Sequence, residues 1–265
     1  MRQPPNDPTT GPPGIIDENT AWVILDRYVQ DCLKIDRDSL LAVYATGSLG
    51  GGYYRPGQSD IDAALIVRDG SQDVWGNLDT ASKPLETLNQ AYKERYDIPK
   101  DFGPFALQEH ELHPPYSTDS DVLALEIARL KVQGVCVYGS YNLDAVPIPT
   151  AEDFRQDARR FERWWQDEFD KSNPIETFSQ AACVNSILML LGHYLRIERG
   201  VIEFNKRLLI ARYLENDPPF VDEEAFRLVE DSLASCALSE KELERLRQAV
   251  RSLRAQMNAY LRIET

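Results

Sequence analysis

Two aspartates separated by one residue, Asp60 and Asp62, stand at the head of an apolar run, Ala63-Ala64-Leu65-Ile66-Val67. In an extended chain, successive side chains alternate between faces. The spacing therefore puts both carboxylates on one face and sends Ile61, Ala63, Leu65 and Val67 to the other. Two adjacent carboxylates are hard oxygen ligands suited to Mg²⁺, which takes one or two of them together with substrate phosphates. Upstream, Gly47 and Ser48 close another apolar run, Leu40-Leu41-Ala42-Val43-Tyr44-Ala45, and a glycine-rich turn, Gly50-Gly51-Gly52, follows. Glycine lets the backbone approach a ligand closely, and serine offers a hydroxyl and an N–H to phosphate oxygens. A strand, a Gly-Ser turn and a second strand headed by Asp-Ile-Asp together suit the handling of a metal-bound phosphate.

The elements that must position these residues follow from the apolar periodicity. Ile16, Trp22, Ile24, Leu25, Tyr28, Val29 and Leu33 recur at helical spacing over 16–34, with Asp17 or Asn19 as cap. Residues 40–46 and 59–68 read as strands, 72–96 as a helix, and 105–112 as a third strand stopped by Pro114-Pro115. A helix over 120–133 and a short strand over 134–139 close this part. After Pro147 the pattern turns helical throughout. Thr150 with Asp153 and Ser239 with Glu242 make capping boxes, a helix is predicted over 175–199, and Gly200 is a plausible cap after it. Further helices are predicted over 205–215 and 222–234 and from Ser239 to the C-terminus. The fold class predicted is α+β: a mixed sheet flanked by helices over 15–148, then an α-helical bundle over 149–265. Residues 1–14 are rich in proline and glycine and read as a flexible arm.

Composition limits the partners. The 265 residues carry a formal net charge of -14. Such a surface repels phosphate backbones, which argues against broad nucleic-acid binding, and attracts cationic molecules instead. The N-terminus has no apolar core of a secretory signal, and no run is long enough to span a bilayer, so a cytoplasmic protein without membrane contact is predicted. Cys32, Cys136, Cys183 and Cys236 form no CxxC pair, and the settings of Cys136 and Cys183 read as core. His110 and His113 lack cysteine partners for zinc. His193, in the long helix, reads as a core histidine.

Gly47-Ser48 with Ser59-Asp60-Ile61-Asp62 resembles the signature of the polymerase-beta-type nucleotidyltransferase superfamily. The resemblance implies transfer of AMP from ATP to a hydroxyl, with pyrophosphate leaving. It implies that Gly47, Ser48 and Ser59 hold the nucleotide, that Asp60 and Asp62 bind two Mg²⁺ ions, and that a third carboxylate on a neighbouring strand completes the site and acts as base. Within Phe105-Ala106-Leu107-Gln108-Glu109-His110-Glu111-Leu112, either Glu109 or Glu111 could be that group if the segment is a strand, since both would share a face. Glu109 is the slightly favoured choice and would also be a metal ligand. The order of a nucleotidyltransferase domain, a short strand and a helix bundle is similar to the streptomycin/spectinomycin-type aminoglycoside adenylyltransferases. Tyr194, Gly200 and Lys206 match that branch loosely, and Lys206 is implied to contact nucleotide phosphates. The acceptor implied is a small cation, an aminoglycoside or aminocyclitol, met in a cleft between the two domains. Adenylylation of a protein side chain and a catalytically silent binding protein of the same fold are the competing readings.

Overall fold

The computed structural model describes residues 15–76, 81–98, 102–116, 123–165 and 175–262. The chain divides into two compact units, Met1–Ile148 and Pro149–Thr265. The fold is α+β. The arm predicted over 1–14 lies outside the described residues, as does the start of the helix predicted from 120.

In the first unit, helix α1 (Glu18–Ile35) is capped by Asp17, whose side chain accepts from the Thr20 N–H at 2.7 Å. It buries Ile24, Leu25, Tyr28 and Val29 against a four-stranded sheet whose order is β3-β2-β1-β4. The strands are β1 (Leu40–Ala45), β2 (Ala63–Val67), β3 (Phe105–Gln108) and β4 (Val135–Gly139). β1 runs antiparallel to β2 and β4, while β2 and β3 are parallel. Every residue of β2 is buried, as its unbroken apolar sequence requires of a strand covered on both faces. β4 lies at an edge, which leaves Cys136 exposed rather than in the core; Cys236 is exposed as well.

Three sequence expectations are corrected here. The strand predicted over 59–68 forms only from Ala63. Asp62 gives its carbonyl to the Thr46 N–H at 3.0 Å, and Ile61 makes a single isolated bridge to Phe102. A single helical turn, α2 (Gly47–Gly50), follows β1, and the helix predicted over 72–96 is two helices, α3 (Gln72–Trp75) and α4 (Lys83–Arg95). Gly76, with φ 79°, ends α3. The strand predicted over 105–112 stops at Gln108, and Glu109–Leu112 is a 3₁₀ turn. The Glu111 carboxylate takes the Gln108 N–H at 2.7 Å, which closes the turn. α5 (Leu123–Gln133) then leads to β4.

The second unit is helical. α6 (Ala151–Trp164) and α10 (Glu240–Leu261) start at the capping boxes of Thr150 with Asp153 and Ser239 with Glu242. Between them lie α7 (Gln180–Tyr194), α8 (Lys206–Glu215) and α9 (Glu223–Leu233). The helix predicted from 175 starts at Gln180, because Ser179 caps it. α7 is buried nearly all round and packs Ile187, Leu188, Leu191 and Tyr194 with Leu246, Val250 and Met257 of α10. Each such side chain contributes about 1.5–3 kcal/mol of apolar burial. α7 continues into a π-helical turn, Leu195–Arg199, which ends at Gly200 in a left-handed conformation. Among the described residues no helix is long and apolar enough to cross a membrane.

Candidate active site

The site begins where β1 ends. Gly47 has φ +58°, a conformation that costs a side-chain-bearing residue about 1–2 kcal/mol. A Cβ placed on Gly47 would lie 2.2 Å from Asp62 Oδ2, so the Asp62 carboxylate rests directly against the glycine. Glycine is therefore required twice here, by the backbone and by its neighbour. The bond from the Thr46 N–H to the Asp62 carbonyl ties the two segments together. Beside them, the hydroxyls of Thr46 and Ser48 are both buried and have no hydrogen-bond partner. Leaving such a group unsatisfied costs about 1–3 kcal/mol, so two at one strand end suit a polar ligand.

The glycine-rich turn is held from outside. A Cβ on Gly50 would meet the carbonyls of Ala45 and Gln133, each at 2.4 Å, so the end of α5 sits tightly against the turn. Gln133 Nε2 also donates to the Tyr53 hydroxyl at 2.7 Å. Ser59 accepts from the Arg55 N–H through its hydroxyl at 3.0 Å, closing the 55–59 turn that delivers Asp60. Asp60 and Asp62 are half-buried on either side of the fully buried Ile61. Burial, with the charges of Asp60 and Asp17, pushes the Tyr54 phenol up to about 12.

One neighbour of the pair was not visible in the sequence. Arg129, on α5, pairs with Glu126 at 2.9 Å. Burial works against its charge, but Glu126, Asp62, Tyr53 and Asp60 outweigh that and raise its pKa. A fixed guanidinium thus lies within electrostatic range of both aspartates.

The structure does not bring Glu109 or Glu111 to this pair. The parallel register sets Ala64 beside Phe105 and Val67 beside Gln108, so both glutamates lie beyond the far end of β2. Six strand positions at about 3.3 Å each separate the level of Asp62 from that of Glu109, about 20 Å in all. Glu109 lies instead near Tyr141, whose phenol is raised by burial and then by the charges of Glu109 and Asp69. Glu111 is buried and occupied by the Gln108 N–H. The expected metal set Asp60, Asp62 and Glu109 is thus not gathered at one place by this register, and among the described residues no group of three His, Cys, Asp or Glu could hold one ion. The same register carries Gly103 to the position beside Asp62, where a Cβ would lie 3.6 Å from Asp62 Oδ1.

In the helical unit, Lys206 opens α8 and its Nζ donates to Asn185 Oδ1 at 2.9 Å. Tyr194 is a core residue, packed edge-on to Tyr213 with its hydroxyl accepting from Arg199 Nε. His193 is buried, and burial followed by the Arg196 charge brings its pKa down to about 3. Trp165 is buried in the same core.

No protein-family model and no curated protein matches the chain. Among solved structures it is similar to spectinomycin adenyltransferase from Enterococcus faecialis, solved with ATP and spectinomycin. The match has a TM-score of 0.59 at 17% identity and covers 88% of this chain and 97% of that one. The chain has the nucleotidyltransferase fold. Within that fold, the Gly47-Ser48 turn and the Asp60-Ile61-Asp62 segment are the parts of the resemblance that converge, while the glutamates of 109–112 stand apart.

Proposed function

We propose that this protein transfers AMP from ATP to a hydroxyl of a small cationic acceptor, an aminoglycoside or aminocyclitol. The observation that carries the reading is the Asp62 carboxylate seated on Gly47 beside the unpartnered, buried Ser48 hydroxyl. This arrangement supplies an anion-accepting turn and an acidic ligand at one strand end. The ATP and spectinomycin held by the similar adenyltransferase support the donor and the acceptor class. The net charge of -14 supports a cationic acceptor, which such a surface attracts. An ATP donor supports a cytoplasmic setting for the reaction.

In this reading Ser48 and the Gly47 backbone hold phosphate oxygens, and Arg129 adds positive charge near the phosphates. Asp60 and Asp62 would hold Mg²⁺, which neutralises phosphate charge in such displacements. Among the described residues no third His, Cys, Asp or Glu joins them. The chemistry assigned to the chain is therefore positioning and charge stabilisation. Lys206 remains a proposed phosphate contact on the strength of the resemblance.

A panel of aminoglycosides and aminocyclitols with ATP and Mg²⁺, read by pyrophosphate release, tests the proposal. Transfer to at least one of them is expected, and Asp60→Ala or Asp62→Ala should abolish it while the fold persists. Labelled AMP appearing on protein instead would favour side-chain adenylylation. No pyrophosphate with any acceptor, together with no ATP-induced rise in Tm, would leave a silent binding protein.

A further inference from the structure

Glu126, Arg129 and Gln133 recur at helical spacing on α5 and so share one face of that helix. Gln133 shows where this face lies. A Cβ on Gly50 would sit 2.4 Å from the Gln133 carbonyl, and one on Gly51 would sit 3.1 Å from Gln133 Nε2, which donates to the Tyr53 hydroxyl at 2.7 Å. The polar stripe therefore borders the turn that begins at Gly47, the glycine against which the Asp62 carboxylate rests.

Arg129 stands one helical turn before Gln133 and is held by Glu126. Both Glu126 oxygens meet a single nitrogen, Arg129 Nη1, at 2.9 and 3.0 Å. The pair is shielded from solvent, with the Glu126 side chain 10% exposed and the Arg129 side chain 28%. Burial opposes the Arg129 charge, whereas Glu126, then Asp62, Tyr53 and Asp60, favour it. Glu126 is the foremost of these partners, and Asp62 and Asp60 are the carboxylates that follow it. A guanidinium fork is matched to carboxylate oxygens, and a divalent ion takes the same oxygens. A shielded guanidinium that lost Glu126 would be left uncompensated, and pairing with the aspartates would satisfy it. Once there, it would occupy the oxygens that the ion needs.

We infer that Glu126 is a positioning residue: it keeps the Arg129 guanidinium off Asp60 and Asp62, so that both carboxylates stay open to a divalent ion and the cation stays available to phosphate. An ion pair three residues apart on a helix contributes only a few tenths of a kcal/mol when it is exposed. This one is shielded and borders the glycine turn, where its effect falls on which cation the aspartates receive. The inference rests on the reading of Asp60 and Asp62 as ion ligands proposed above.

The test reads ion binding and needs no turnover. Mn²⁺ binding to the full-length, nucleotide-free protein is measured by electron paramagnetic resonance, with the Asp60→Ala/Asp62→Ala protein as the blank and circular dichroism to confirm that each variant is folded. Glu126→Gln, which keeps the shape and removes the charge, should weaken Mn²⁺ binding by about 10- to 100-fold. Arg129→Met should bind at least as tightly as wild type, and Glu126→Gln combined with Arg129→Met should return to within about threefold of Arg129→Met alone. A crystal structure of Glu126→Gln should show the guanidinium paired with Asp62 or Asp60, a shift that a merely structural role for Glu126 would not produce. Mn²⁺ binding by Glu126→Gln equal to that of wild type would overturn the inference and leave the proposed function intact. The same weakening in the Arg129→Met background would also overturn it, because Glu126 would then act on the ion by its own charge. Wild type binding no more Mn²⁺ than the blank would sink the metal assignment and this inference together.

Discussion

Replacing Gly47 by alanine puts one methyl group where the Asp62 carboxylate now lies. Two costs can be separated. Holding alanine at φ +58° costs about 1–2 kcal/mol. The second cost is steric, since the new Cβ would sit 2.2 Å from Asp62 Oδ2 and must gain about 1 Å to reach a tolerable contact. A displacement of about 1 Å in a reacting group is the scale that costs about 100-fold in rate. Gly47→Ala should therefore lower kcat/KM for AMP transfer by about 100-fold or more. It should lower Tm by about 2–4 °C per kcal/mol of destabilisation. The stability half can be checked without an acceptor, by a cycle with Asp62→Ala. Removing the carboxylate removes the clash, so Gly47→Ala should cost less in the Asp62→Ala background, where only the backbone cost of about 1–2 kcal/mol remains. Urea unfolding of the four proteins gives the coupling. Equal costs in both backgrounds, or transfer by Gly47→Ala within about threefold of wild type, would refute the contact between Gly47 and Asp62 as the reason for the glycine.

The other predictions concern residues away from that contact. Glu109→Gln and Glu111→Gln should leave ATP affinity unchanged, by isothermal titration, because the register puts them at the far end of β2. Glu111→Ala should still cost about 1–3 kcal/mol in urea unfolding, since it leaves the buried Gln108 N–H without its carboxylate. His193, held neutral with a pKa of about 3, contributes stability that is complete above the unfolded value near 6.5 and declines as pH falls from there toward 3. At pH 5 the loss is about 2 kcal/mol, and His193→Gln should remove that share of the pH dependence. Equal pH dependence in wild type and variant would count against the buried neutral state.

Much of the site was readable because its parts are local in sequence. Gly47 and Ser48 follow directly on β1, and the alternation around Ile61 places Asp60 and Asp62 on the side away from the core. Caps such as Thr150 with Asp153 are also local, since a side chain meets a backbone group three residues away. The register of β3 against β2 was not readable. Alternation in Phe105-Ala106-Leu107-Gln108 says which residues share a face but not which neighbour each one meets. Placing the third carboxylate in that segment took its acidic residues as the guide, while the pairing of Ala64 with Phe105 puts Gly103 beside Asp62. Glu111 turning back onto Gln108 ended the strand before alternation could matter. Arg129 was hidden for a related reason: it lies on a helix far along the chain, and no spacing rule links it to the aspartates whose charge raises its pKa.

The π-helical turn after α7 bears on how this sequence is compared with others. Tyr194 and Arg199 are five residues apart, yet Arg199 Nε reaches the Tyr194 hydroxyl at 3.1 Å, a pairing that the wider turn permits. On an ordinary α-helix the facing partners are three or four residues apart. Loss of one residue between these two would let the turn close as α-helix and leave the same tyrosine facing the same arginine. A one-residue gap at 195–198 in an aligned sequence therefore marks a change in winding, with the helix on one side and the Gly200 stop on the other still in place.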